Sequence, residues 1–252
     1  MDALVTRRVA VITGACGGVG SATADAFLAE GWYVVGIDRS EPREHVRLDR
    51  FVQADLGNES ELDRIRHDLA DLDHVDALVN NAAVQINVRL VDTTDEQWDQ
   101  TMAVNVRAAF RMIRSFHDAL ALCRGAVVNV GSVHSIATSP SVAAYAVSKG
   151  SLAALTRSAA LELATDGIRC NAVLPGAVLT PMLTDGLSRR PHPDGPDGNL
   201  EALIARTPLG FVALPAHIAS SIVFLADTAK SPYTTGQTLV VDGGATLRLG
   251  TE

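Results

Sequence analysis

The chain has 252 residues, with 21 Lys and Arg against 29 Asp and Glu, for a formal charge of −8. Hydrophobic residues make up 47% and charged residues 20%, which excludes a disordered chain, and the acidic balance argues against a general nucleic-acid surface. Aromatics are scarce at 4% while Ala and Val are abundant, a mix that suits helices packed closely on a buried sheet and fits one large α/β domain or two small ones.

In chain order, the start Met1 to Arg8 lacks the charge-then-apolar order of a secretion signal. Val9 to Thr13 then reads as a short buried strand ending at Gly14. The turn Thr13-Gly14-Ala15-Cys16-Gly17-Gly18-Val19-Gly20 leads into a helical stretch, Ser21 to Glu30. Glycines in a strand-to-helix turn let backbone approach a pyrophosphate, and the helix N-terminus offers free N–H groups to the anion. The spacing is G-x-x-x-G-x-G, so a tight turn without a ligand is the alternative reading. Tyr33 to Ile37 is the second strand, and Asp38 at its end lies 20 residues after Gly18. A carboxylate there can accept hydrogen bonds from the adenosine ribose and repel a 2′-phosphate, which favours NAD over NADP. Arg39 beside it could instead pair with that phosphate.

Arg50 to Ala54 is the third strand, closed by Asp55-Leu56 where an adenine edge would lie, and a helix is expected over Glu59 to Leu72. A fourth strand, Ala77 to Asn80, precedes a long helical stretch from Glu96 to Leu122. Ala126 to Val130 is the fifth strand, with Ser132 just past its end. Tyr145 and Lys149 stand four apart at the start of a helix running to Thr165, and this spacing puts both side chains on one face. Arg169 to Val173, a helix over Ala216 to Ala226 and the strand Thr238 to Val241 complete the order. Seven strands alternating with helices predict a Rossmann-type doubly wound parallel sheet with helices on both faces, in a single domain spanning 1–252. Strand C-terminal ends converge in such a sheet, so Ser132 and Tyr145 should face the same crevice as the glycine turn.

Leu183 to Asn199 breaks the rhythm with Arg189-Arg190-Pro191-His192-Pro193-Asp194-Gly195-Pro196-Asp197-Gly198. It reads as a loop, and its length favours a substrate lid over about 183–202. The pocket wall should also draw on Gln85, His134, Ser139, Met182 and Leu183. His134 could touch a polar substrate or simply fill the rim, and Arg189-Arg190 could attract an anion or simply meet water. Cys16, Cys123 and Cys170 follow no zinc or CxxC spacing and are read as reduced, buried thiols; no metal site is expected. No stretch of about 18 residues runs free of polar interruption, so a soluble, cytoplasmic protein without membrane or nucleic-acid partners is expected. The Tyr145 helix carries Leu152, Ala153, Ala154, Leu155, Ala159, Ala160, Leu161 and Leu163, more apolar surface than one core face needs. With Phe110, Ile113 and Phe116 on the preceding helix, this suggests a flat subunit contact.

Together these motifs resemble the short-chain dehydrogenase/reductase family in its single-domain branch, essentially end to end. Thr13, Gly14, Gly18 and Gly20 match the glycine motif, and Asn80-Asn81-Ala82-Ala83 matches an Asn-Asn-Ala-Gly pattern with Ala83 in place of Gly. Asn105, Ser132, Tyr145 and Lys149 match the catalytic set, and Pro175-Gly176 and Thr180 match a later turn. The resemblance implies an NAD(H)-dependent oxidoreductase interconverting a secondary alcohol and a ketone. In it Tyr145 is the acid/base, Lys149 lowers its pKa and grips the nicotinamide ribose, and Ser132 holds the substrate oxygen. Asn105 would hold a water linking Lys149 to solvent. Gly14, Gly18, Val19 and Gly20 would cradle the pyrophosphate, and Asp38, Asp55 and Leu56 would contact the adenosine. Asn81, Ala82, Pro175, Gly176, Val178 and Thr180 would line the nicotinamide half together with Tyr145 and Lys149. The family further implies a homotetramer, or at least a dimer. Alternatives are a non-catalytic module that senses NAD, an NADP-dependent 3-oxoacyl thioester reductase, and a lyase or epimerase using NAD transiently. The last generally carries a larger C-terminal substrate domain, for which the chain has little room.

Overall fold

The computed structural model describes residues 7–189 and 192–248. The start Met1–Thr6 and the loop positions Arg190 and Pro191 lie outside the described residues. Seven parallel strands form one sheet in the order β3-β2-β1-β4-β5-β6-β7. They are β1 (Val9–Thr13), β2 (Tyr33–Asp38), β3 (Arg50–Gln53), β4 (Ala77–Asn80), β5 (Ala126–Val130), β6 (Arg169–Pro175) and β7 (Thr238–Val241). The order reverses between β1 and β4, so the crevice at their C-terminal ends is the switch point where such sheets bind ligands.

Alternation along the strands divides the core in two. Val9, Val11, Val35, Ile37, Leu78 and Val127 face one side, against Ile65 of α2 (Glu59–Asp68), Met112 and Phe116 of α4 (Ala108–Cys123) and Ala159 of α5 (Ala143–Glu162). Ala10, Ile12, Val34, Ala77, Val79, Val128 and Val173 face the other, against Phe27 of α1 (Gly18–Ala29) and Ile218 and Ile222 of α8 (Pro215–Ala226). Burial on both faces is why these strands read as continuous apolar runs. β7 differs: it is the sheet edge, and Leu239 and Val240 are both 39% exposed. Among the described residues no helix is long and apolar enough to cross a membrane.

Four expectations differ from the structure. The helix expected over 96–122 is α3 (Asp95–Met102), a π-helical turn over Ala103–Arg107, then α4. One extra residue per turn leaves the apolar period almost intact, so the sequence shows no break. The loop expected over 183–199 is mostly helical, as α6 (Pro181–Ser188) and α7 (Gly195–Arg206). Pro181 and Pro196 occupy first-turn positions, where a missing N–H costs nothing and the fixed φ starts a helix. Of the thiols, only Cys170 is buried; Cys16 and Cys123 are partly exposed. On α4, Ile113 and Phe116 belong to the core, leaving Phe110 as the exposed member of that trio.

Candidate active site

The glycine turn is folded tightly against its neighbours. The Gly14 N–H donates to Ile37 O at 2.8 Å and the Gly17 N–H to Gly14 O at 3.1 Å. Gly14 has φ +66°, and a Cβ there would lie 2.8 Å from Ala82 Cα; at Gly20 it would lie 2.0 Å from Gly14 O. No side chain caps α1, so the backbone N–H groups of its first turn, at Gly18 and Val19, are open to an anion. Asp38 fixes the same turn: Oδ2 accepts from the Cys16 N–H and Oδ1 from the Ser40 N–H, each at 3.0 Å. The carboxylate keeps lone pairs for further donors. Arg39 is exposed beside it. At the end of β3, Asp55 Oδ1 accepts from the Gly57 N–H at 2.9 Å, and Leu56 is buried.

Thr13 ties this turn to the segment after β4. Its Oγ1 accepts from the Asn81 N–H at 3.0 Å and the Ala82 N–H at 3.1 Å, while Asn81 Nδ2 donates to the Thr13 and Gly14 carbonyls at 3.0 Å. Ala83 replaces the usual Gly without strain: the non-glycine residues with positive φ among those described are Arg124 and Ser141. After β6, the Gly176 N–H donates to Val241 O at 3.0 Å, Val178 bridges Ala213, and Thr180 leads into α6. Thr180 Cγ2 stands over the glycine turn, 2.8 Å from where a Gly18 Cβ would be. The segment Pro175 to Thr180 therefore closes the far side of the crevice.

Ser132, Tyr145 and Lys149 meet at the same end of the sheet. Ser132 caps a short 3-10 turn, Val133–Ser135, by accepting from the His134 N–H at 3.2 Å. Ser132 lies beside the Tyr145 phenol, where its side chain favours the phenolate. Lys149 Nζ lies 5.5 Å from the Tyr145 ring centre and donates to Val130 O at 2.8 Å. All three side chains are buried. Burial pushes the Tyr145 phenol up to about 12, with the Ser132 side chain acting in the opposite direction, and pushes the Lys149 ammonium down to about 8. The sequence expectation was a Tyr145 pKa lowered by Lys149. In the protein alone, burial dominates instead.

Asn105 lies on the π-helical turn. Its Oδ1 accepts from the Val84 N–H at 2.8 Å, and its Nδ2 donates to Val84 O at 2.9 Å and Ser148 Oγ at 3.0 Å. Both amide hydrogens are used, so the side chain is a clamp between the segment after β4 and α5. Ser148 was not singled out from sequence, although its place three residues after Tyr145 put it within one turn. A small cavity of about 10 Å³ beside this clamp is lined by Thr13, Asn80 and Asn105 among others.

The residues expected to wall the pocket mix polar and apolar side chains. His134 meets the Tyr145 ring edge-on at 5.7 Å between centres, and its Nδ1 is 3.0 Å from Thr138 Oγ1. Gln85 Nε2 donates to Asn87 Oδ1 at 2.8 Å. Asn87 was missed in the sequence, where nothing sets it apart from a loop residue. Met182 and Leu183 fall in the first turn of α6, with Met182 exposed; Ser139 is half-buried, and Arg189 is exposed at the end of that helix.

Known proteins share this architecture. The family model described as enoyl-(acyl carrier protein) reductase matches residues 14–246. Dehydrogenase/reductase SDR family member 6 of Xenopus laevis is 33% identical over 243 residues, covering 95% of the chain and 98% of the relative. The 2-(R)-hydroxypropyl-CoM dehydrogenase of Xanthobacter autotrophicus is 37% identical, covering 95% and 98%. The ligand-free aldohexose dehydrogenase of Thermoplasma acidophilum superposes with a TM-score of 0.91 at 26% identity, covering 98% of this chain and 96% of that one. A 4-hydroxyisoleucine dehydrogenase complexed with NADH (TM-score 0.84, 26% identity, covering 96% and 100%) has the same fold. So does a Beutenbergia cavernae protein described as an NAD(P)-dependent gluconate 5-dehydrogenase with bound NADP (TM-score 0.87, 32% identity, covering 96% and 97%).

Proposed function

The chain belongs to the short-chain dehydrogenase/reductase family, an NAD(P)-binding oxidoreductase fold, and we propose that it is an NAD(H)-dependent enzyme interconverting a secondary alcohol and a ketone. The observation that carries this reading is the buried Ser132–Tyr145–Lys149 constellation at the same sheet end as an uncapped glycine turn.

The crevice residues fit a dinucleotide. Gly14 and Gly20 allow the tight fold of the turn and Gly18 the approach of Thr180, and the α1 N-terminus supplies N–H groups and a favourable dipole for a pyrophosphate. Asp38 supplies acceptors for ribose hydroxyls and would repel a 2′-phosphate, which supports NAD over NADP. Bound NAD supplies the hydride acceptor or donor at its nicotinamide ring. Asp55 and Leu56 would hold the adenine end, and Asn81, Ala82, Pro175, Gly176, Val178 and Thr180 the nicotinamide half.

Tyr145 takes the proton from a substrate hydroxyl in oxidation and returns it to a carbonyl in reduction. Ser132, beside Tyr145, orients the substrate oxygen near that proton. Lys149 puts positive charge near the phenol whenever it is protonated, and would hold the ribose of the cofactor. Asn105 holds Val84 and Ser148 in register, and its side-chain oxygen keeps a lone pair that could take a water in the relay toward Lys149. A sensing module would not need this set assembled, which favours turnover over NAD sensing. We further propose a cytoplasmic homotetramer, supported by exposed apolar side chains on α4, α5 and β7.

A panel of sugars, diols, hydroxy acids and acyl thioesters, run with NAD(H) and NADP(H) in parallel, tests the reading. NAD(H)-linked turnover of an alcohol or ketone is expected. Tight NAD binding with silence across the panel would favour the sensing module, and NADPH-linked reduction of a 3-oxoacyl thioester would favour that reductase.

A further inference from the structure

A run of hydrogen bonds leads from the glycine turn to the backbone of Tyr145. Thr13 Oγ1 accepts from the Asn81 and Ala82 N–H groups, and Asn81 Nδ2 donates to the Thr13 and Gly14 carbonyls. Two residues on, Asn105 takes both backbone groups of Val84 and also donates to Ser148 Oγ at 3.0 Å. Ser148 Oγ in turn donates to Tyr145 O at 2.7 Å. The run thus enters α5 at Ser148, three residues after Tyr145 and one before Lys149. Ser148 is 0% exposed and Asn105 2%, so solvent does not compete for these bonds.

The direction of each bond follows from one fixed group. A backbone carbonyl only accepts, so the Ser148 hydroxyl must donate to Tyr145 O. With its hydrogen spent there, Oγ can only accept from Asn105, which must present its NH2 group. Val84 demands the same orientation, because its N–H needs an acceptor and its carbonyl a donor. Both partners hold the amide one way round, so the run has a single hydrogen-bonding state. Cut at Ser148, it would leave an Asn105 N–H buried without an acceptor. The first turn of α5 would also lose its tie to the segment after β4 at the level of Tyr145. The Val88–Val142 bridge does not replace that tie, because Val142 is the N-cap and lies outside the helix.

Resting on the dehydrogenase reading above, we propose that Ser148 is a positioning residue for the reaction. It sets Tyr145 and Lys149 against the segment that would hold the nicotinamide half, acting through Asn105 and the Tyr145 carbonyl. Being fully buried, it works by these hydrogen bonds and not by contact with substrate. The effect belongs in kcat, because hydride and proton transfer need the nicotinamide and the phenol at a fixed spacing. Asp38 and Asp55, at the adenosine end, lie outside the run, so cofactor affinity is largely spared.

The test compares Ser148→Ala, which deletes the hydroxyl, with Ser148→Cys, which keeps the shape but donates and accepts only weakly. Turnover is expressed per NADH-binding site, titrated by fluorescence, so unfolded protein does not count. Both variants are expected to lose about tenfold or more in kcat while the NADH dissociation constant stays within about twofold. Independently of turnover, exchange of the Val84 amide hydrogen, read by NMR, should quicken about tenfold more than that of Val79 inside β4. A kcat unchanged in both variants, or Ser148→Cys matching wild type while Ser148→Ala does not, overturns the positioning role and leaves the dehydrogenase reading standing. So does a Val84 amide that quickens no more than Val79, or NADH binding lost in step with kcat, since either means general loosening. Wild-type protein silent across alcohols and ketones overturns both readings.

Discussion

Tyr145 is held between opposing influences. Burial drives the phenol up to about 12, while the Ser132 side chain pulls the other way. Alcohol oxidation needs the phenolate and ketone reduction needs the phenol. Oxidation rates should therefore climb with pH through the neutral and mildly alkaline range while reduction stays level until the alkaline limb. Parallel pH profiles of kcat in the two directions check this, and a reduction rate falling through neutral pH would contradict it. Lys149 makes a stability prediction of definite sign. Burial lowers it from 10.5 to about 8, so between those values the unfolded chain binds more protons than the folded one. Its contribution to stability is complete above pH 10.5 and is lost as pH falls through about 8. Thermal melts of wild type and Lys149→Met should show wild type gaining on the variant from about pH 7 to about pH 10; a constant gap contradicts the assignment. At Asp38, substitution by Ser removes the repulsion of a 2′-phosphate and leaves Arg39 free to pair with it. The kcat/KM ratio of NADP to NAD should rise at least about tenfold, as cofactor-dependence kinetics would show.

At the scale of elements, the crevice depends on how closely α6 approaches the glycine turn. A methyl at Gly18 would meet Thr180 Cγ2 at 2.8 Å. Overpacking of this kind costs about 1–3 kcal/mol, so Gly18→Ala should weaken NAD binding by about tenfold. Thr180→Ser, which removes the offending methyl and keeps the hydroxyl, should restore much of the loss, and titration of the single and double variants reads this directly. The strands were legible because β1, β2, β4, β5 and β6 are buried on both faces and read as apolar runs between turn residues. Ser132, Tyr145 and Lys149 were legible because strand ends and an i, i+4 spacing placed them together. The π-helical turn was not, because it adds one residue without disturbing the apolar period. Helices α6 and α7 were hidden because Pro and Gly look the same in sequence whether they start a helix or break one. The role of Asn105 depended on Val84 and Ser148, partners 21 and 43 residues away that no local pattern connects.

For the whole molecule, the low aromatic content has two consequences. Small side chains let α1 and α8 pack closely on one face of the sheet, and they leave isolated large apolar groups outside. On α4 and α5, Phe110 is 47% exposed and Leu161 80%; at the sheet edge, Leu239 and Val240 of β7 are each 39% exposed. An exposed apolar edge strand invites pairing unless covered. Sedimentation should therefore find a tetramer, and Leu161→Glu or Val240→Lys should each shift it to smaller species; an unaltered monomer in all three proteins contradicts the proposal. The proposed reaction is hydride transfer that depends on proton exchange with Tyr145. The most direct test is NADH absorbance during turnover of the best substrate by wild type and by Tyr145→Phe, a change that keeps the ring and deletes only the hydroxyl. A fall in kcat of about 10²–10⁴-fold with NADH binding retained is the predicted result, and turnover equal to wild type would contradict it.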